Sequence, residues 1–205
     1  MTDVSILDYN MGNILSVKKA VEKLGYSCNL VSTPPEILKA NKIILPGVGH
    51  FKKAMLHIKS LGLDKALNQK VIDQKTPILG ICLGMQLMCK YSEEGNTAGL
   101  GWFDSKVVKF KFKDQLRYKT PHIGWNQVYF DNPNQLENSI VKECEFYFVH
   151  EYYIHDAKER EILTTTKYEK KFVSGLFRDN IFGVQFHPEK SHQVGQLLIK
   201  NFLEI

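Results

Sequence analysis

The sequence predicts an α/β fold: a mostly parallel sheet flanked by helices, with antiparallel strands added to it. Three observations lead there. Through the first half, short β-branched runs alternate with helical patterns at a spacing that suits right-handed crossovers between parallel strands. From about residue 100, strand-like runs follow one another without helices between them, which is the texture of hairpins. The 205 residues are 43% hydrophobic and 24% charged, which suits a single domain over 1–205 with its own core and excludes disordered, collagen-like and coiled-coil chains.

Taken in order, Val4 to Leu7 reads as a strand, and Ile14, Val17, Ala20, Val21 and Leu24 share one face of a helix closed by Gly25. Cys28 to Val31 is a second strand, and Thr33-Pro34-Pro35-Glu36 has the capping-box pattern with proline at the first helical position. Lys42 to Leu45 runs into Pro46-Gly47-Val48-Gly49. Two helical stretches extend to Gln74, Pro77 to Ile81 is a buried strand, and Met85 to Tyr91 has a helical pattern. Later strands are expected at Val107 to Phe112, Gln127 to Phe130, Glu145 to Val149, Ile162 to Lys167, Val173 to Phe177 and Ile181 to Gln185. A helix from about His192 places Val194, Leu197, Leu198 and Phe202 on one face.

Several function classes drop out. The net charge of +5 comes from 27 basic and 22 acidic side chains, and the densest basic run, Lys106 to Lys119, alternates Lys with Val and Phe as a strand with one wet face does. No nucleic-acid partner is expected. The longest apolar stretch, Ile78 to Met88, is interrupted by Gly80, Gly84 and Gln86 and falls short of the roughly 18 residues of a membrane span. With no basic-then-apolar leader at the start, a cytoplasmic protein without a membrane partner is expected. Cysteines 28, 82, 89 and 144 make neither a C-x-x-C pair nor a zinc-spaced cluster, so neither a disulfide nor a metal is expected.

The chemistry concentrates at two places. Gly80-Ile81-Cys82-Leu83-Gly84 stands where a buried strand gives way to a helical pattern, a nucleophile elbow with Cys in place of Ser. The same turn sets Cys82 at a helix start, where unpaired N–H groups favour a thiolate and can stabilise an oxyanion. His187-Pro188-Glu189 follows another strand and supplies a base with a carboxylate to orient it. Each motif alone also fits a bland role, a small buried thiol in one case and a turn in the other.

Together with Asp8 to Asn13, Pro46 to Gly49, Pro121 to Asn126 and His187 to Ser191, the chain resembles the class I glutamine amidotransferases from residue 4 to its end. The resemblance implies that family's fold, with Cys82 as nucleophile, His187 as acid and base and Glu189 as its orienter. It implies an oxyanion site from Val48, Gly49 and Leu83, and a pocket for L-glutamine from Gln86, Glu94, His150, Glu151 and Tyr152. Glu151 stands where the family usually has Ser. No phosphate loop or dinucleotide fingerprint is present, so no cofactor is expected and the ammonia needs a separate synthase. The resemblance implies a (β/α)8-barrel cyclase of histidine biosynthesis as partner in a heterodimer, with Asn10, Asn13, Trp125, Asn126 and Lys190 on the docking face. Two alternatives stand beside it: a barrel-like partner that aminates a sugar nucleotide for a surface polysaccharide, and a cysteine hydrolase or binding module of another kind on the same fold.

Overall fold

The computed structural model describes residues 3–141 and 143–205. Its framework is a sheet whose first half is parallel. The strands β1 (Val4–Leu7), β2 (Cys28–Val31), β3 (Ile43–Leu45) and β4 (Ile78–Ile81) alternate with α1 (Ile14–Lys23), α2 (Pro34–Lys39), α3 (Phe51–Ser60) and α4 (Leu63–Asn68), and α4 widens into a π turn over Gln69–Asp73. After β4 come α5 (Leu83–Leu87), β5 (Cys89–Ser92), β6 (Thr97–Ala98), β7 (Phe103–Lys109), β8 (His122–Phe130), β9 (Glu143–His150), β10 (Tyr152–His155), β11 (Ile162–Tyr168), β12 (Lys170–Arg178), β13 (Ile181–Val184) and α6 (His192–Leu203).

The strand order is β2-β1-β3-β4-β13-β12-β10-β7-β5-β6, and β11, β8 and β9 continue from β12 as a branch. β13 lies parallel to β4, with Val184 opposite Ile81. This pairing brings a strand from the far end of the chain beside the one that carries Cys82. Strand alternation sends side chains to two cores. Leu7, Ile43, Leu45 and Ile78 pack under α2, α3 and α4 with Ile37, Phe51, Met55 and Leu67. Val4, Ile6, Ile44, Leu79 and Ile81 face the other way, onto Val17 and Val21 of α1 and Leu198 and Phe202 of α6. Glu36 closes the first turn of α2 by accepting from the Thr33 N–H at 3.0 Å, as the capping-box pattern predicts.

The expected boundaries move furthest in three places. The helical pattern of Met85 to Tyr91 is cut at Leu87, and Cys89–Ser92 is a strand. The carbonyls that a longer helix would need are taken by the segment that folds back over them: Leu100 donates to Leu87, Phe103 to Met88 and Gly101 to Cys89. β7 begins at Phe103 and ends at Lys109, so Phe110 and Phe112 leave the strand and stack on each other at 5.1 Å, with Tyr153 4.5 Å from Phe110. β8 begins at His122, five residues before the expected Gln127, because it pairs with β9 from His122 opposite His150 onward. Among the described residues no helix is long and apolar enough to cross a membrane.

Candidate active site

Cys82 leaves β4 with φ +54° and ψ −109°, the strained turn expected of an elbow. Its N–H donates to the Val184 carbonyl at 2.8 Å, so the turn stays attached to β13. Gly84 is required by close approach: a Cβ there would lie 1.8 Å from the Leu45 carbonyl oxygen.

His187 follows β13 at the same end of the parallel strands. Its N–H donates to Tyr147, and the Ser191 hydroxyl donates to the His187 carbonyl at 2.6 Å while accepting from the Tyr147 N–H at 3.0 Å. The turn 188–190 is thereby clamped to β9. Nδ1 of His187 meets Glu189 Oε1 at 2.8 Å, with both side chains almost wholly buried. Nε2 is buried with no hydrogen-bond partner, and the group that acts on the ring from outside the turn is Cys82. Burial opposes the imidazolium, but Cys82 and Glu189 outweigh it and raise the His187 pKa to about 10. The imidazole and the carboxylate are thus joined, and the Cys82 sulfur at the neighbouring elbow lies 3.6 Å from the Gln185 amide nitrogen.

A cleft of about 460 Å³ opens over the sulfur, lined by Val48, Gly49, Leu83, Gln86, Glu94, His150, Glu151 and Tyr152 among others. The larger groove of about 630 Å³, over Phe110, Phe112 and Tyr168, contains none of the expected site residues. Within the cleft the side chains differ in what they have left to offer. Gln86 Nε2 donates to the Tyr152 carbonyl and to Gln185 Oε1, each at 3.0 Å, which leaves Oε1 for a ligand. Glu94 Oε2 accepts from the N–H of Phe51 at the start of α3. His150 has both ring nitrogens committed, to His122 and to the Tyr152 carbonyl, and burial holds its pKa down at about 3. It shapes the cleft wall without a free polar atom. Glu151 points to the rim, where Lys109 lies 3.2 Å away and balances its charge.

The Leu83 N–H, one expected oxyanion donor, is occupied by the Gly47 carbonyl at 3.3 Å. Upstream, the loop is anchored by Tyr9, fully buried, whose hydroxyl donates to the Pro46 carbonyl at 2.8 Å. Downstream, Gly49 has φ +104°, a conformation glycine alone adopts easily. The Gly47–Val48 peptide lies between these two points.

The chain matches the glutamine amidotransferase class-I family over residues 5–205. It belongs to the class I glutamine amidotransferases. Its curated relatives include imidazole glycerol phosphate synthase subunit HisH 2 of Methanococcus maripaludis, 48% identical over 98% of both chains. Subunit HisH 1 of Campylobacter jejuni is 43% identical over 98% of this chain and 100% of its own. Among solved structures, PurLQS from Thermotoga maritima shares the fold with a TM-score of 0.74 at 16% identity, over 98% of this chain and 97% of that one. As a member of this family the protein is a glutamine-hydrolysing enzyme subunit.

The residues expected on this amidotransferase's docking face are only partly brought together. Trp125 is 43% exposed and stacks on His192 with ring centres 4.8 Å apart and planes 8° apart. Lys190 Nζ lies 5.7 Å from the Tyr147 ring centre, and Tyr147 also meets the edge of Trp125. Asn13 precedes α1, which packs on the turn 188–190, and Asn10 is exposed in the loop before it. Asn126 instead turns its amide inward, to His122 and the Lys167 carbonyl. Sequence reasoning passed over Tyr9, Gln185, Ser191 and Lys109. Tyr9 and Ser191 lay inside the motifs 8–13 and 187–191 without a role of their own, and Gln185 stood out as the one polar residue in the apolar run Ile181 to Phe186.

Proposed function

We propose that this amidotransferase hydrolyses L-glutamine through Cys82, His187 and Glu189, in the cytoplasm, and passes the ammonia to a (β/α)8-barrel cyclase that forms imidazole glycerol phosphate in histidine biosynthesis. The observation that carries the chemistry is the buried His187 imidazole bonded to Glu189 at the same end of the parallel strands as the strained Cys82 elbow. The thiolate attacks the substrate carboxamide carbon, and the oxyanion forms against the Leu83 N–H. Turning the Gly47–Val48 peptide, through ψ of Gly47 and φ of Val48, removes the carbonyl that occupies that N–H and presents the Val48 N–H in its place. The His187 imidazolium gives its proton to the leaving ammonia, and a glutamyl thioester remains on Cys82.

Esterified sulfur carries no charge. The Cys82 contribution that raised the imidazole's pKa is then gone, burial still lowers it, and His187 becomes a base for the water that releases glutamate. Glu94 and Gln86 Oε1 suit the substrate's α-ammonium group, and the backbone at Glu151 and Tyr152 its carboxylate. Glu151 leaves the carboxylate side unobstructed by pairing with Lys109.

The relatives named as HisH subunits of imidazole glycerol phosphate synthase support the acceptor and the partner. Deleting the gene is expected to make cells require histidine. A second reading rests on the Glu151–Lys109 pair at the cleft rim, a charged surface suited to a different partner, one that aminates a sugar nucleotide. Histidine prototrophy after deletion, with an altered surface polysaccharide, would replace the first reading by the second.

A further inference from the structure

Gln185 is completely buried at the end of β13, two residues before His187, and the hydrolysis described above gives it no task. A buried amide needs partners for both its ends. Its Oε1 accepts from Gln86 Nε2 at 3.0 Å, and its Nε2 donates to Cys82 Sγ at 3.6 Å.

The direction of this amide is fixed by its neighbours. A backbone carbonyl only accepts, and the carbonyl of Tyr152 faces Gln86 at 3.0 Å. Gln86 must therefore present its nitrogen there, and the second hydrogen of that nitrogen points at Gln185, which must answer with oxygen. Only then does Gln185 offer N–H to the sulfur. The same carbonyl sets the histidines behind it. His150 donates from Nδ1 to Tyr152 at 2.7 Å, so its Nε2 accepts from His122 Nδ1 at 2.9 Å, and His122 Nε2 accepts from Asn126 at 3.2 Å. One carbonyl thus orients an unbroken series of polar side chains that ends on the nucleophile.

A donor aimed at sulfur stabilises the thiolate more than the thiol, because hydrogen bonds to ionised acceptors are the stronger ones. We propose that Gln185 holds the Cys82 thiolate through its side-chain N–H, and that Gln86 acts as a positioning residue by keeping the Gln185 amide turned that way. The proposal rests on the reading of Cys82 as the nucleophile, yet it concerns the state of the sulfur and is measurable without glutamine.

The test is the pH profile of Cys82 alkylation by iodoacetamide, followed on the peptide that contains it by mass spectrometry. Gln185→Met keeps the bulk and removes the donor. The apparent pKa of alkylation is expected to rise by about one unit, so that the rate on the acid limb of the profile falls about tenfold, with kcat for glutamine falling more than KM rises. Should that chain fail to fold, Gln86→Met leaves Gln185 in place but unoriented, and a shift in the same direction, smaller in size, is expected. An alkylation profile identical to wild type in a folded variant of either kind overturns the proposal. If the profile shifts while the wild-type complex releases no glutamate from glutamine, the role of Gln185 stands and the glutaminase reading falls.

Discussion

His187 is the residue on which the chemistry turns, because its charge is set by the group it must activate. Cys82 and Glu189 raise its pKa to about 10 against the opposing effect of burial, so the imidazolium is present throughout the neutral range and is lost as pH rises through about 10. Imidazole carbon shifts followed by NMR are expected to titrate near that value, and in Cys82→Ser to titrate at lower pH, since the raising influence of the thiolate is gone. A His187 that titrates near 6.5 in the wild type contradicts the ion pair. The other thiols differ from Cys82 in environment: burial raises Cys89 far above its ordinary pKa and Cys144 to about 11, and Cys28 is raised as well. A glutamine-like electrophile is therefore expected to label Cys82 alone. Labelling should vanish in Cys82→Ser and persist when Ser replaces Cys28, Cys89 or Cys144, as read by intact-mass spectrometry.

Among the elements, the loop between β3 and α3 decides when the site is ready. The Leu83 N–H is occupied by Gly47, so on the proposed reading a donor is missing in this state, and the free chain is expected to hydrolyse glutamine at least about 10²-fold more slowly than the complex, the scale of one missing donor. Equal rates, measured by glutamate release with and without the cyclase and its ligand, would mean that the peptide turns without help. The elements that build this site were largely legible beforehand. β1, β3 and β4 are short runs whose burial on both faces leaves a largely apolar signature, and Gly80 to Gly84 and His187 to Glu189 keep their chemistry within five residues or fewer. β5, β6 and β10 were not legible. β6 is two residues long and pairs only with the nearby β5, too short to leave a pattern, β10 takes its partners from β7 and β12, and Cys89 to Tyr91 continues a helical pattern that only the pairing with 99–103 breaks. The Gly47–Leu83 and Gln185–Cys82 contacts were invisible for the same reason, being made between strands that meet only in the folded sheet.

At the scale of the whole molecule, the parallel half of the sheet gathers the loops after β1, β3, β4 and β13 at one end, where open α/β sheets place their sites. Trp125, Tyr147, Lys190 and His192 form a cluster of rings and a cation against the turn that carries Glu189, and Ile123, 58% exposed, shares the outward face of β8 with Trp125. Such a cluster suits an interface anchor. Trp125→Ala is expected to weaken association with the cyclase by about 30-fold, measured by titration calorimetry, in keeping with about 2 kcal/mol for a buried aromatic anchor. Unchanged affinity would move the docking face elsewhere.

The central claim is that this subunit supplies ammonia made at Cys82 to a cyclase docked on it, and the most direct measurement compares two nitrogen sources in one complex. With the wild-type chain, the cyclase and its nucleotide substrate, imidazole glycerol phosphate is expected from either glutamine or ammonium salt. With Cys82→Ser in the same complex, ammonium is expected to support formation as before and glutamine to support none. Glutamine-dependent product from the Cys82→Ser complex would contradict the account.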